Sequence, residues 1–148
     1  MSFAQDLAVG AEVEQQFVEF LTSLGIKCGR NTATNTKEMA LYDVWDNSYR
    51  TYEVKFDRKA QSTNNVFLEH ESILRSRAEY VVFKLEGDKT FYIANTEFVK
   101  YHIEEKLSPE KWGGTPKMLG SLIPLSKFKK IFKPVEEVIS KKKVSQKT

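Results

Sequence analysis

The pattern most able to do chemistry is Asp43, nine residues, then Glu53-Val54-Lys55. A carboxylate two residues before a lysine means little alone, because the chain holds that spacing three times, at Glu53/Lys55, Asp57/Lys59 and Glu104/Lys106. Context separates them. Glu104 and Lys106 fall late in an expected helix, where residues two apart do not share a face. Asp57 and Lys59 fall in a polar stretch. Only Glu53 and Lys55 stand in an alternating run, 50 to 56 (RTYEVKF), which predicts a strand, and there residues two apart do share a face. Tyr52, Val54 and Phe56 take the other face and anchor the strand in the core. A turn at Asn47-Ser48 folds the run 40 to 45 (ALYDVW) back as a hairpin, which brings Asp43 to the cross-strand neighbourhood of Glu53. Two carboxylates on adjacent strands can hold a hard divalent cation through oxygen. Such a cation polarises a phosphoryl oxygen and lowers the pKa of a bound water. A lysine one side-chain step away can orient or deprotonate that water and offset negative charge. The candidate chemistry is phosphodiester hydrolysis. The structural alternative is a strand-borne Glu-Lys ion pair beside an unrelated Asp.

A third carboxylate bears on that choice. Residues 6 to 24 predict an amphipathic helix, with Asp6 as N-cap and Gly25 as the stop. Its apolar stripe is Leu7, Val13, Phe17, Phe20, Leu21 and Leu24. At 100° per residue Glu14 falls inside the stripe, whereas Glu12 and Glu19 lie outside its centre. A carboxylate facing a core costs desolvation unless it is paired or bound to a metal. A salt bridge or a backbone hydrogen bond satisfies it as well as a cation does, and the spacing leaves both readings open.

The remaining elements form a mixed pattern of helices and strands. Residues 26 to 38 are polar, a loop or a short first strand. Residues 57 to 65 predict a polar loop, 66 to 69 a strand, and 71 to 78 a short helix. Residues 80 to 85 and 90 to 94 read as a hairpin through Glu86-Gly87-Asp88-Lys89. A helix over 96 to 106 is ended by Ser108-Pro109. Residues 111 to 120 read as a Gly-rich loop and 121 to 125 as a final short strand, with Pro124 marking an edge. A helix around 126 to 132 precedes a Lys-rich end. The expected organisation is a domain over 1 to 132 and a basic tail over 133 to 148.

Taken together, Gly10-x3-Glu14 on a helix ending at Gly25, then Asp43-x9-Glu53-Val54-Lys55, resembles the PD-(D/E)XK nuclease superfamily. Tyr42 stands where the family's name puts proline. The stretches Ser62 to Glu69 (STNNVFLE) and Ser76 to Tyr80 (SRAEY) are similar to segments of small phage-type nucleases of that superfamily. The resemblance covers roughly residues 7 to 125. It implies an α/β fold of the restriction-endonuclease type: an αβββαβ core whose mixed central sheet is flanked by helices. It implies Mg²⁺ dependence, with Mn²⁺ as a substitute. Asp43 and Glu53 would be metal ligands, the Val54 carbonyl a third, and Glu14 a completing group of the metal or water shell. Lys55 would position the attacking water. Glu69 could approach the site from the neighbouring strand, with a surface role the first expectation, and Gln61 and Asn65 could contact a phosphate or, as first expectation, hold a turn.

Composition sets outer bounds. With 148 residues, 41% of them hydrophobic and 29% charged, the chain has the make-up of a globular protein, not of a disordered or collagenous one. No apolar run approaches the ~18 residues of a membrane span, and the N-terminus lacks the pattern of a secretion signal. Cys28 is the single cysteine, so no internal disulfide or cysteine-based zinc site arises, and the cytoplasm is the expected compartment, including the bacterial cytoplasm if the gene is a phage's. His70 and His102 are expected to be solvent-exposed. Net charge is +3, yet residues 126 to 148 hold eight Lys and two Glu. A basic end suggests a polyanion, with Lys117, Lys141, Lys142 and Lys143 as candidate phosphate contacts. DNA is the expected partner, as a homodimer that sets two sites on two strands, with no membrane and no small-molecule cofactor. Junction resolution, phage DNA processing and restriction or homing cleavage remain open within that reading. The rivals are a non-cleaving nucleic-acid-binding module, a protein-interaction module on the same fold, and an RNA nuclease.

Overall fold

The computed structural model describes residues 3–32, 41–104, 110–113 and 118–139. The first helix, α1 (Phe3–Ser23), follows the expected apolar stripe and buries Val13, Phe17 and Leu21, but it begins at Phe3, so Asp6 lies within it and is not its N-cap. It stops at Gly25, whose φ of +82° suits glycine, and the Ile26 amide donates back to the Leu21 carbonyl at 3.0 Å.

Among the described residues nine strands follow in chain order: β1 (Cys28–Arg30), β2 (Val44–Asp46), β3 (Thr51–Asp57), β4 (Asn65–Glu69), β5 (Tyr80–Leu85), β6 (Phe91–Asn95), β7 (Glu110–Gly113), β8 (Met118–Pro124) and β9 (Lys133–Pro134). Five more helices of the described residues punctuate them: α2 (Ala60–Thr63), α3 (His70–Leu74), α4 (Thr96–Glu104), α5 (Leu125–Ile131) and α6 (Val135–Val138). The main sheet runs β1-β2-β3-β5-β6-β9, and a second sheet runs β4-β8-β7. In the main sheet β3 and β5 are parallel and every other pair is antiparallel, so the sheet is mixed. A parallel pair needs a crossover, which residues 58–79 supply through α2, β4 and α3. The order α1-β1-β2-β3, crossover helix, β5 is the expected αβββαβ core.

The main sheet is buried on both faces. On one face Tyr52, Val82, Phe91 and Ile93 pack with Phe17 and Leu21 of α1 and with Val135 and Ile139. On the other, Val81, Phe83, Leu85 and Tyr92 pack with Leu68, Ile73, Val99, Ile123 and Phe128, which come from the second sheet and α3 to α5. Among the described residues no helix is long and apolar enough to cross a membrane.

Several expectations need correction. The polar stretch 57 to 65 contains α2, because Asp57 Oδ1 accepts the amides of Lys59 (2.8 Å) and Ala60 (2.9 Å). Its Oδ2 accepts the Phe67 amide at 3.1 Å and ties in β4. The Gly-rich stretch 111 to 120 is largely strand, in β7 and the start of β8. Gly120 is there for close approach: a Cβ would collide with the Leu68 carbonyl and the Phe67 ring. Nor is β8 an edge or the final strand. It lies between β4 and β7, with Pro124 at its end, and β9 follows. His70 is buried, its Nε2 2.7 Å from Ser121 Oγ. The fold does not end at 132: β9 pairs with β6, and Val135 and Ile139 are buried. Lys117, Lys141, Lys142 and Lys143 lie outside the described residues.

Candidate active site

The β2–β3 hairpin builds the centre. Its tip is set by the buried Asp46, which accepts the Ser48 amide (2.8 Å), the Arg50 amide (3.1 Å), Arg50 Nε (2.7 Å) and the Tyr52 hydroxyl (2.6 Å). With every polar neighbour answered, a buried charge is tolerable there. The register pairs Val44 with Tyr52, so the next step sets Asp43 opposite Glu53. The Asp43 backbone is clamped on both sides: its amide donates to the Tyr52 carbonyl (2.8 Å) and its carbonyl accepts the Asn31 amide (2.8 Å).

Alternation then aims the side chains. Tyr52, Val54 and Phe56 face α1. Glu53 and Lys55 therefore face the other side, in register with Val81 and Phe83 of β5. Val44 also faces α1, which turns Asp43 toward the Glu53 side. Asp43 Oδ2 accepts the Val54 amide at 2.8 Å. In a strand the N–H and C=O of one residue point the same way, so the Val54 carbonyl lies on the Asp43 side, past the end of the β2–β3 ladder.

Lys55 Nζ donates to Ser72 Oγ at 2.7 Å and stands 3.4 Å from both Glu53 Oε2 and Glu69 Oε1. Ser76 Oγ donates to Glu53 Oε1 at 3.4 Å, and Lys100 Nζ donates to the Ser76 carbonyl at 3.2 Å. Glu14 Oε1 accepts Arg30 Nε (3.2 Å) and Nη2 (3.1 Å), so the salt-bridge reading of Glu14 holds. The same carboxylate also adds negative field at Asp43.

Electrostatics marks the centre as unusual. Burial, then the neighbouring Asp43, pushes Glu53 up to about 7, with Lys55 pulling back. Burial, and less so Glu14, pushes Asp43 up to about 6, against the opposing Val54 amide, Lys55 and Arg30. Glu14 is raised chiefly by burial, with Arg30 opposing. Carboxylates that resist ionisation side by side are a place where positive charge is wanted.

The donors are all oxygen, which suits a hard cation rather than zinc or copper. Among the described residues no group of three His, Cys, Asp or Glu side chains is gathered to hold a metal ion. Glu14, taken by Arg30, does not complete such a group with Asp43 and Glu53. A Mg²⁺ site does not require one, since it uses one or two carboxylates and fills its octahedron with water and substrate phosphate. Asp43, Glu53 and the Val54 carbonyl fit that pattern.

Sequence reasoning brought Asp43, Glu53 and Lys55 together and missed the shell around them. Glu69, expected at the surface, reaches Lys55. Ser72, Ser76, Arg30 and Lys100 carried no signal, because each arrives from another element. Asn65 does hold its turn, its Nδ2 donating to the Thr63 carbonyl at 3.0 Å, while Gln61 is exposed.

Glu14→Gln keeps an oxygen for Arg30 and removes the charge. We expect a fall in turnover of about 10- to 100-fold, the usual scale for a group that tunes a site from behind, with little change in melting temperature. A large drop in melting temperature with normal turnover per folded molecule would assign Glu14 to structure alone.

The sequence matches no protein-family model and no curated protein. The structure aligns with that of Hjc, a Holliday junction resolvase from the archaeal hyperthermophile Archaeoglobus fulgidus, with a TM-score of 0.53 and 13% identity. The alignment covers 87% of this chain and 93% of that one. At that identity the likeness is one of architecture: the chain has the mixed α/β fold of an archaeal junction resolvase.

Proposed function

We propose that the chain is a metal-dependent DNA endonuclease of the PD-(D/E)XK type, with branched DNA as its first candidate substrate. The observation that carries this reading is the half-dry pairing of Asp43 and Glu53 across a hairpin, with Lys55 on the Glu53 face. The choice of branched DNA is supported by the resolvase fold alone.

Asp43, Glu53 and the Val54 carbonyl would hold a divalent cation, Mg²⁺ or Mn²⁺. Bound there, it would supply polarisation of a phosphoryl oxygen and acidity to a bound water. Asp43 shares its Oδ2 with the Val54 amide, which fixes its orientation before any ligand arrives. Lys55 has three N–H donors on one centre; with Ser72 and Glu69 taking two, the third is left to orient the attacking water, and the charge meets the phosphoryl oxygens. Ser72 and Glu69 hold that ammonium, and Ser76 holds Glu53.

The test is a cleavage panel of four-way junction, linear duplex, single strand and RNA, each with Mg²⁺, Mn²⁺ or EDTA. We expect cation-dependent cleavage of the junction and none in EDTA, with paired nicks if a two-fold dimer sets two sites on two strands. Binding without cleavage under either cation would favour the non-cleaving module instead. Preferred cleavage of RNA would overturn the DNA assignment.

Lys141, Lys142 and Lys143 are proposed to bind the phosphate backbone, as is Lys117. Ending the chain at Ser140 removes four lysines. For every phosphate that is then no longer neutralised, the slope of log affinity against log salt should fall by about 0.9. An unchanged slope would exclude the tail from DNA binding.

A further inference from the structure

Lys55 has more anionic company than hydrolysis requires. Its ammonium stands at the same 3.4 Å from Glu53 on its own strand and from Glu69 at the end of β4. The nearer partner is neutral, Ser72 Oγ at 2.7 Å, and that hydroxyl is itself 3.5 Å from Glu69 Oε1. The side chains of Lys55 and Glu53 are each 16% exposed, so Coulomb forces act there with little screening. A lysine with one anionic neighbour closes to a charge-assisted hydrogen bond of about 2.8 Å. Against Glu53 that bond would occupy the oxygens and cancel the charge that a cation needs.

Resting on the reading above, we propose that Glu69 is a positioning residue: a counterweight that, with Ser72, holds Lys55 off Glu53 and leaves Glu53 open to a divalent cation. The placement of Glu69 follows from the fold. It ends β4, whose Val66 and Leu68 are fully buried, and it precedes α3, whose Ile73 is fully buried and whose His70 meets Ser121. The two sheets therefore set the distance between Glu69 and Lys55.

The test is Mn²⁺ binding to the full chain without DNA, read by the electron paramagnetic resonance of free Mn²⁺, with melting temperature as a fold control. Glu69→Ala should weaken binding about five- to tenfold, a coupling of ordinary size for residues in contact. Glu69→Gln, which keeps an acceptor for Lys55 without the charge, should fall between. Lys55→Met should bind Mn²⁺ more tightly than the wild type. In the Lys55→Met background Glu69→Ala should change nothing, because there is no ammonium left to hold. An equal loss in both backgrounds would mean that Glu69 attracts the ion directly, which overturns the counterweight. Unchanged binding by Glu69→Ala in the wild-type background overturns it too. If Glu69→Ala does not fold, the same cycle is run with Glu69→Gln and the same criteria apply. A wild-type chain that binds no Mn²⁺ would instead sink the cation site itself, and the counterweight with it.

Discussion

Replacing Glu53 by Gln, or Asp43 by Asn, is expected to abolish cleavage and to make the metal-free protein more stable near pH 8. Loss of a cation ligand should cost about a thousandfold in rate, the equivalent of about 4 kcal/mol. The gain in stability follows from the raised carboxyls. Glu53 rises from 4.5 to about 7 and Asp43 from 3.8 to about 6 on folding. Between the unfolded and folded values the native state binds more protons than the unfolded one, so stability falls as pH rises through that window and levels off above it. At high pH each ionised carboxylate costs about 3 kcal/mol. A neutral amide does not carry that cost, and about 3 kcal/mol corresponds to roughly 6–12 °C for a chain of this size. Thermal melts from pH 5 to 8 in EDTA should therefore slope downward for the wild type and less so for either variant. Mg²⁺ should restore the wild type at pH 8 and leave the variants unmoved. A variant that melts lower than the wild type at pH 8 would show that the carboxylates stabilise the fold, contrary to the electrostatics.

The second large effect concerns the C-terminal segment. A chain ending at Phe132 loses β9, Val135 and Ile139, whereas one ending at Ser140 keeps them. Burying a side chain of this size is worth about 1.5–3 kcal/mol, and removal also opens a cavity against Phe17, Phe91 and Ile93. The shorter chain should lose roughly 4–6 kcal/mol, a large share of the 5–15 kcal/mol that holds a typical domain together. It should be mostly unfolded or insoluble, by circular dichroism and denaturant titration. The longer one should melt like the full chain. Equal melting of the two would return the fold boundary to residue 132.

Both results bear on how much could be read in the sequence. The hairpin and the facing of its side chains were legible because they rest on local periodicity. Tyr52, Val54 and Phe56 alternate with Glu53 and Lys55, and the stripe through Phe17 and Leu21 repeats at helical spacing. What was not legible depends on distant partners. Nothing local in Ala60–Thr63 announces a helix, whose entry is held by Asp57 through the Lys59 and Ala60 amides. Gly120 reads as a loop residue, yet it marks the place where β8 passes against β4. His70 reads as a surface histidine until Ser121 is seen beside it. Lysines around and beyond 133 suggested a solvated tail from there on, but Val135 and Ile139 are spaced to bury one side of its start. Glu69 could be weighed as a neighbour of the site, but it could be set beside Lys55 only once β4 had a position relative to β3.

The core behind the hairpin joins the two ends of the described fold, since Phe17 and Leu21 of α1 share it with Val135 and Ile139. During synthesis that meeting is late. At about 5–20 residues per second, the ribosome takes roughly ten seconds to pass from the end of α1 to Ile139. Until then the core around the first helix lacks Val135 and Ile139, although Tyr52, Val82, Phe91 and Ile93 can already pack on its apolar stripe. Completion of that core therefore waits on the last described segment, so a nascent chain stalled before Val135 should be more open to protease than one stalled well beyond Ile139.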